Sequence, residues 1–335
     1  MKKILILSIV VVTVTISWFS LKSDQSQAIR AEPSAKQTPL KVGTNIWIGY
    51  EPLYLAAELG YYSKDQIELV EFSNATQVLQ AYKNKLIDVA ALTLDEVLMI
   101  QNLPDPPQVF LIVDFSNGAD SIVAKPEFTN LAEVQDKRIG VENTAMGGFF
   151  LTRAFQASNL SMDNLTIVPL SFGEHQKAYE QNQVDALVTF DPTKSQLIKK
   201  GAVEIFNSSQ IPGEIVDTLV ASHQTAQNRK EQINQLVRGW DKALVYLKEN
   251  PNRATEIIAK RLQASPEVVK QSYLGITLVN SSENLLMMQD PNSSIQKTLK
   301  SLPIFLTEKK LLHHPIDHSK VLNPSFAQAS SQSAP

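Results

Sequence analysis

The segment Trp47-Ile48-Gly49-Tyr50-Glu51-Pro52 sets two aromatic faces beside a glycine and a carboxylate. Trp47 and Tyr50 can stack on a ligand or face a cation, and Gly49 lets backbone approach closely. The competing role for Trp47 is to cap a core. Thr93-Leu94-Asp95 offers a hydroxyl and a carboxylate that serve equally well as helix caps or ligand contacts. Ser116-Asn117-Gly118-Ala119-Asp120 has the small polar residues of a hinge whose amides could face a ligand, or of an ordinary turn. Glu142-Asn143-Thr144-Ala145-Met146-Gly147-Gly148 runs into a helix whose first amides favour an anionic group. Close helix–strand packing is the other use of its glycine pair. Phe190-Asp191-Pro192 can be a helix N-cap with proline at the first helical position. Glu214, which ends the polar stretch from Ser208, faces ligand or solvent equally well.

These loops carry Glu51, Asp95, Asp120, Glu142, Asp191 and Glu214, and no Arg or Lys before Lys125 and Lys194. A site for a bare inorganic anion wants a fixed cation, so the balance leans toward an amine, an amidine, an amino-heterocycle or a zwitterion like taurine. Amide dipoles can nonetheless hold an oxyanion without arginine. There is no cysteine, which excludes disulfides, thiolate metal sites and a cysteine nucleophile. His313, His314 and His318 are interrupted by Pro315 and make a poor metal set. Ser208-Ser209 lacks the G-x-S-x-G setting of a nucleophile. No cofactor is called for: the glycine pair does not complete G-x-G-x-x-G. His175 and Lys177 open a helix and read as solvated.

These loops need strands and helices to hold them. Strand signals at 41–47, 67–72, 87–92 and 109–115 alternate with helical spacing at 52–60, 75–86 and 94–103, the βαβ pattern of a parallel sheet flanked by helices. A similar series follows: strands at 121–125, 138–143, 165–170, 186–190, 203–206 and 218–222, with helices between. In such sheets ligands sit beyond the carboxyl ends of the strands, where the loops above fall. After residue 223 only helices are expected, punctuated by Pro251, Pro266 and Pro303. Trp240, Leu244 and Leu247 form an apolar stripe that reads as core. Two tandem α/β units could be consecutive domains, or two lobes between which the chain crosses and returns. The paired motifs ADSIVAK and VDTLVAS favour the second, each adding one strand to the lobe it enters.

With 335 residues, 43% apolar and 19% charged, the chain can bury a sizeable core, and a net charge of −3 gives no footprint for nucleic acid. Lys2 and Lys3 precede an apolar run from Ile4 to Phe19, and Ser26 and Ala28 suit a cleavage site. Residues 1–28 therefore read as a secretory signal, with an uncleaved anchor as the alternative. Residues 29–40 read as a linker, and the remainder as periplasmic.

The blocks VGTNIWIGYEPLYLAAELGYY, KNKLIDVAALTLDE, SNGADSIVAKPEF, DKRIGVENTAMGGFFLTRA, QVDALVTFDP and SSQIPGEIVDTLVAS follow in order over about residues 42–222. Together they resemble the solute-binding proteins of ABC importers in the nitrate, aliphatic sulfonate, taurine and thiamine-pyrimidine group. The resemblance implies an α/β type II periplasmic-binding fold, two lobes joined by two crossover segments that close like a jaw, with C-terminal helices packed on the first lobe. The expected division is 41–118 with 215–322 as one lobe, 119–214 as the other, and 323–335 as a disordered tail. The resemblance also places a residue near Asp191 at the cleft, and Trp47 and Asp191 are expected to face each other across it. It implies a monomer that captures a small solute for an ABC permease and ATPase. A sensor feeding a membrane kinase is the alternative. An enzyme on this fold is disfavoured, because the enzymes it resembles use cysteine.

Overall fold

Runs of apolar residues bounded by turn formers become the buried centre of each sheet. The computed structural model describes residues 38–331; the signal segment, most of the linker and residues 332–335 lie outside the described residues. In chain order the elements are β1 (Leu40–Asn45), α1 (Glu51–Glu58), β2 (Ile67–Phe72), α2 (Ala75–Lys83), β3 (Val89–Thr93), α3 (Leu94–Met99), β4 (Pro107–Ser116), β5 (Ser121–Ala124), β6 (Arg138–Glu142), α4 (Ala145–Ala157), β7 (Thr166–Leu170), α5 (His175–Glu180), β8 (Ala186–Thr189), α6 (Thr193–Lys199), β9 (Val203–Asn207) and β10 (Val216–Ser222). Then follow α7 (His223–Asn228), α8 (Lys230–Glu249), α9 (Pro251–Leu262), α10 (Pro266–Tyr273), β11 (Ile276–Leu278), α11 (Ser281–Gln289), α12 (Ser294–Glu308) and α13 (Ser325–Ser331).

The strands form two sheets. One is six-stranded in the order β11-β4-β10-β3-β1-β2, the other five-stranded in the order β7-β6-β8-β5-β9. β3 and β4 are buried almost throughout, as interior strands covered on both faces must be. β2, at an edge, carries the exposed Glu68 and Glu71. The two strands that carry the paired motifs run against both of their neighbours. β5 lies antiparallel between β8 and β9, and β10 lies antiparallel between β3 and β4. Each crossover strand thus inserts into the sheet it enters, as the motif pairing implies. β10 meets β4 through two bulges, one of which puts Phe110 and Leu111 into the same apolar cluster.

Helix starts follow their caps: Asn74 accepts from the Gln77 amide at 2.9 Å, and Thr144 from the Gly147 amide at 3.1 Å. Gly60, at φ +71°, ends α1 in the left-handed region. Trp240 is fully buried on α8 and donates its indole N–H to the Val279 carbonyl at 2.9 Å. Leu244 and Leu247 pack partly buried on the same cluster.

Four expectations fail here. Strands do not stop at residue 223: Ile276–Leu278 adds an antiparallel edge strand to β4, pairing Ile276 with Ser116. Residues 325–331 are helical, because Phe326 is buried edge-on to Phe110 at 5.6 Å and Asn323 donates its amide to the Val109 carbonyl at 2.8 Å. Pro303 does not end a helix; it is buried inside α12. His175 is not solvated but 1% exposed, edge-on to Phe172, with Nδ1 at 3.1 Å from the Thr189 hydroxyl. Burial holds its pKa down at about 4.

Candidate ligand-binding site

A small cavity lies between the two sheets. From the six-stranded side come Asn45 at the end of β1, Trp47 and Tyr50 from the turn after it, Ala75 at the start of α2, Thr93 at the end of β3, Glu96 on α3, and Ile215 and Asp217 at the start of β10. From the other side come Asp120 just before β5, Glu142 at the end of β6, Thr144 and Met146 at the start of α4, and Phe190 after β8. The antiparallel crossover strands deliver their first residues to the edge where the parallel strands end. That geometry brings Asp217 opposite both Thr93 and Asp114 in register. The cavity volume is about 30 Å³, room for about two waters. Anything larger requires the sheets to part.

Eight of the residues singled out in the sequence meet here: Trp47, Tyr50, Thr93, Asp120, Glu142, Thr144, Met146 and Phe190. The others have different partners. Gly49 sits where a Cβ would lie 1.8 Å from Asp114 Oδ2, so glycine is required for the indole N–H of Trp47 to reach that carboxylate, at 3.0 Å. Glu51 is fully buried at the start of α1 and bound in a fork by Arg261. Asp95 is buried beside Glu96 without lining the cavity. The Ser116 hydroxyl lies 2.8 Å from that of Ser208, which accepts from the Gly118 amide at 2.6 Å, and the Asn117 amide donates to Gly275 at 2.7 Å. The first crossing is therefore tied to the second and to β11's approach. Asn143 is exposed, and its carbonyl accepts from the Thr76 hydroxyl at 3.3 Å. Ala145 is the first residue of α4 and does not line the cavity. Glu214 is held by Arg153 at 2.5 and 2.6 Å.

Asp191 does not face Trp47. It accepts from the Ser195 amide and from the Ser272 hydroxyl, both at 2.9 Å, so it caps α6 and ties it to α10. Phe190 takes its place opposite Trp47, edge-on at 5.4 Å, and is itself stacked on Phe172 at 4.5 Å.

Glu96, Asp114 and Asp217 were absent from the loops singled out in the sequence, and with Asp120 and Glu142, which those loops did offer, they give the site its character. Asp217 accepts from the Tyr50 hydroxyl at 2.5 Å, and Glu96 from the Thr93 amide at 3.2 Å. Asp114 Oδ1, Glu96 Oε1 and Asp120 Oδ2 are buried without a partner. Burial first, then repulsion from neighbouring carboxylates, raises the proton affinity of Glu96, Asp114 and Asp217. Burial lifts Asp120 to about 6 and, with repulsion from Asp120, Glu142 to about 7. No lysine or arginine lines the cavity. Lys194 is engaged elsewhere, with the Gly118 carbonyl at 2.6 Å and Glu204 at 2.7 Å. Such a cluster stays neutral by holding protons, or is neutralised by a cation. A carboxylate inside an apolar run such as VFLIVDF is the signal in the sequence that would have flagged it.

A larger groove of about 590 Å³ lies between α8, α11 and α13. Of its two carboxylates, Asp241 is already satisfied by Ser281 and Ser330 at 2.5–2.9 Å, and Glu283 accepts from the Asn280 amide at 2.9 Å. Among the described residues no group of three or more His, Asp or Glu could hold a metal ion.

The fold is shared with solved structures. A ligand-binding component of an ABC-type import system from Staphylococcus aureus, with zinc bound, superposes at TM-score 0.71 with 15% identity, covering 89% of this chain and all of that one. The alkanesulfonate-binding protein of Xanthomonas axonopodis pv. citri, bound to MOPS, does so at 0.68 with 19% identity over 87% and 99%. A desulfurization enzyme matches at 0.66 with 16% identity over 88% and 99%, so the fold serves catalysis as well as binding. A binding protein of Brucella abortus is 21% identical over 59% of this chain; the match spans 63% of that relative's length. The family model of the NMT1-like family matches residues 33–263, well over half of the sequence, and the chain belongs to that family.

Proposed function

We propose that this chain is the extracytoplasmic solute-binding component of an ABC importer, which holds a small organic solute between two lobes and presents the closed form to a membrane permease and its ATPase. Residues 41–118 with 215–322 would form one lobe and 119–214 the other, acting as a monomer. The observation that carries this reading is the cavity lined from both sheets beside the two crossings. The contacts between the two sides, Trp47 to Phe190 at the cavity and Asp191 to Ser272 outside it, are those a jaw makes on closing. Among the described residues no helix is long and apolar enough to cross a membrane. The relatives and neighbours named as binding proteins support a capture role. The desulfurization enzyme supports a catalytic one, yet this chain has no cysteine to offer as nucleophile.

Solution scattering tests the reading. A true ligand should lower the radius of gyration and, at a hundredfold excess over Kd, stabilise the fold by about 2.7 kcal/mol. Stabilisation without compaction would contradict jaw closure.

A further inference from the structure

The two crossovers carry the same short pattern: Asp120 followed by Ser-Ile-Val-Ala, which is β5, and Asp217-Thr-Leu-Val-Ala within β10. In both the strand is inserted antiparallel, so the aspartate arrives at the cavity while the apolar residues enter the sheet. One motif used twice thus sets an acidic group on each side. Glu96 and Asp120 are 1% and 2% exposed and keep one oxygen each without a hydrogen-bond partner. Glu142 adds a fourth lining carboxylate, and no fixed cation lines the cavity. Leaving such oxygens buried and unpaired costs free energy that only a donor or a proton recovers.

Resting on the capture reading, we infer that the solute of this site is an organic cation with two or more N–H donors, such as an amidinium, guanidinium or diammonium compound, and not a sulfonate or nitrate. The unpartnered oxygens belong to different elements, α3 and the first crossing, so more than one N–H is needed to serve them. Trp47 and Phe190 supply aromatic surface suited to a cation. A sulfonate offers only acceptors, so it has no N–H to give the unpartnered oxygens of Glu96 and Asp120. The alkanesulfonate-binding neighbour shares the fold, not this constraint, because function resides in the residues placed on a fold.

Calorimetric titration with benzamidinium, aminoguanidinium and putrescine against taurine, ethanesulfonate and nitrate tests the inference. At least one of the cations should bind at least a hundredfold more tightly than every anion and zwitterion in the panel. Glu96→Gln and Glu142→Gln should each weaken that cation about tenfold or more. Glu142 is half-buried, so its variant remains folded if the Glu96 variant does not. Tighter binding of taurine, ethanesulfonate or nitrate, or no binding of any of the cations, overturns the inference. If one of those anions binds and compacts the protein in scattering, the capture reading stands while the charge assignment falls.

Discussion

Arg261→Ala should lower the unfolding free energy by about 3–5 kcal/mol and leave the ligand affinity of the folded protein unchanged. Glu51 is fully buried at the first position of α1, and the Arg261 guanidinium closes on it in a fork. The same arginine reaches Glu71 at 2.7 Å and lies over the Tyr54 ring at 3.8 Å. Burial pushes the Glu51 pKa up and the arginine pulls it back, so removing the arginine strands a carboxylate in the core. Replacing both partners together, Glu51→Met with Arg261→Met, should recover most of the loss, since a buried pair exchanged for apolar groups is often neutral. Urea unfolding of the single and double variants reads the effect. A large loss of affinity with little loss of stability would instead return Glu51 to the ligand site, where its sequence context first suggested it.

Without ligand, stability should fall as pH rises from about 5 to about 8. The groups that face one another are Asp95 and Glu96 on α3, Asp114 on β4, Asp217 on β10, Asp120 at the first crossing and Glu142 on β6, with Tyr50 on Asp217 and Lys194 near Asp120. The proton affinities of all six carboxyls are raised, Asp120 to about 6 and Glu142 to about 7. The folded protein therefore keeps protons that the unfolded chain, with carboxyls titrating near 4, has already released. Stability declines wherever the folded state binds more protons, and the whole benefit is present only at low pH. Carboxylates held low, such as Asp185 beside Arg138, act in the opposite direction but only nearer their own lower pKa. His175, held at about 4, opposes the trend only up to the ordinary imidazole pKa of about 6.5, leaving the decline clearest from about pH 6.5 to 8. A cation that displaces one of these protons should bind about tenfold more tightly per pH unit across the window, by linkage. Urea midpoints at pH 5, 6, 7 and 8, with titrations in buffers of different ionisation enthalpy, measure both effects. A midpoint that rises with pH, or an affinity indifferent to it, would show that the cluster is not holding protons.

Local pattern exposed most of the scaffold because each strand's burial is written in its own residues. Val109 to Phe115, apolar but for Asp114, is buried as read, and the D-[ST]-aliphatic-V-A motifs marked the two inserted strands. What stayed hidden depends on distant partners. Ile276–Leu278 is three residues long and exists as a strand because the edge of β4 is there to receive it. The terminal helix has a polar composition and is fixed by Phe326 on Phe110. Glu51 and Glu214 looked like cleft carboxylates, but their arginines lie 210 and 61 positions away. Asp217 went unseen as a site residue for a geometric reason: attention to the carboxyl ends of parallel strands overlooks the amino end of an antiparallel one at the same edge.

Native mass spectrometry of the protein purified from its producing cells without refolding tests the central claim most directly. A small compound with basic nitrogen should remain bound at one per chain, and the Glu96→Gln, Asp217→Asn double variant should lose it. An organosulfonate or other anion retained equally by wild type and double variant would contradict the account, and the amides at the start of α4 would then be the recognition element.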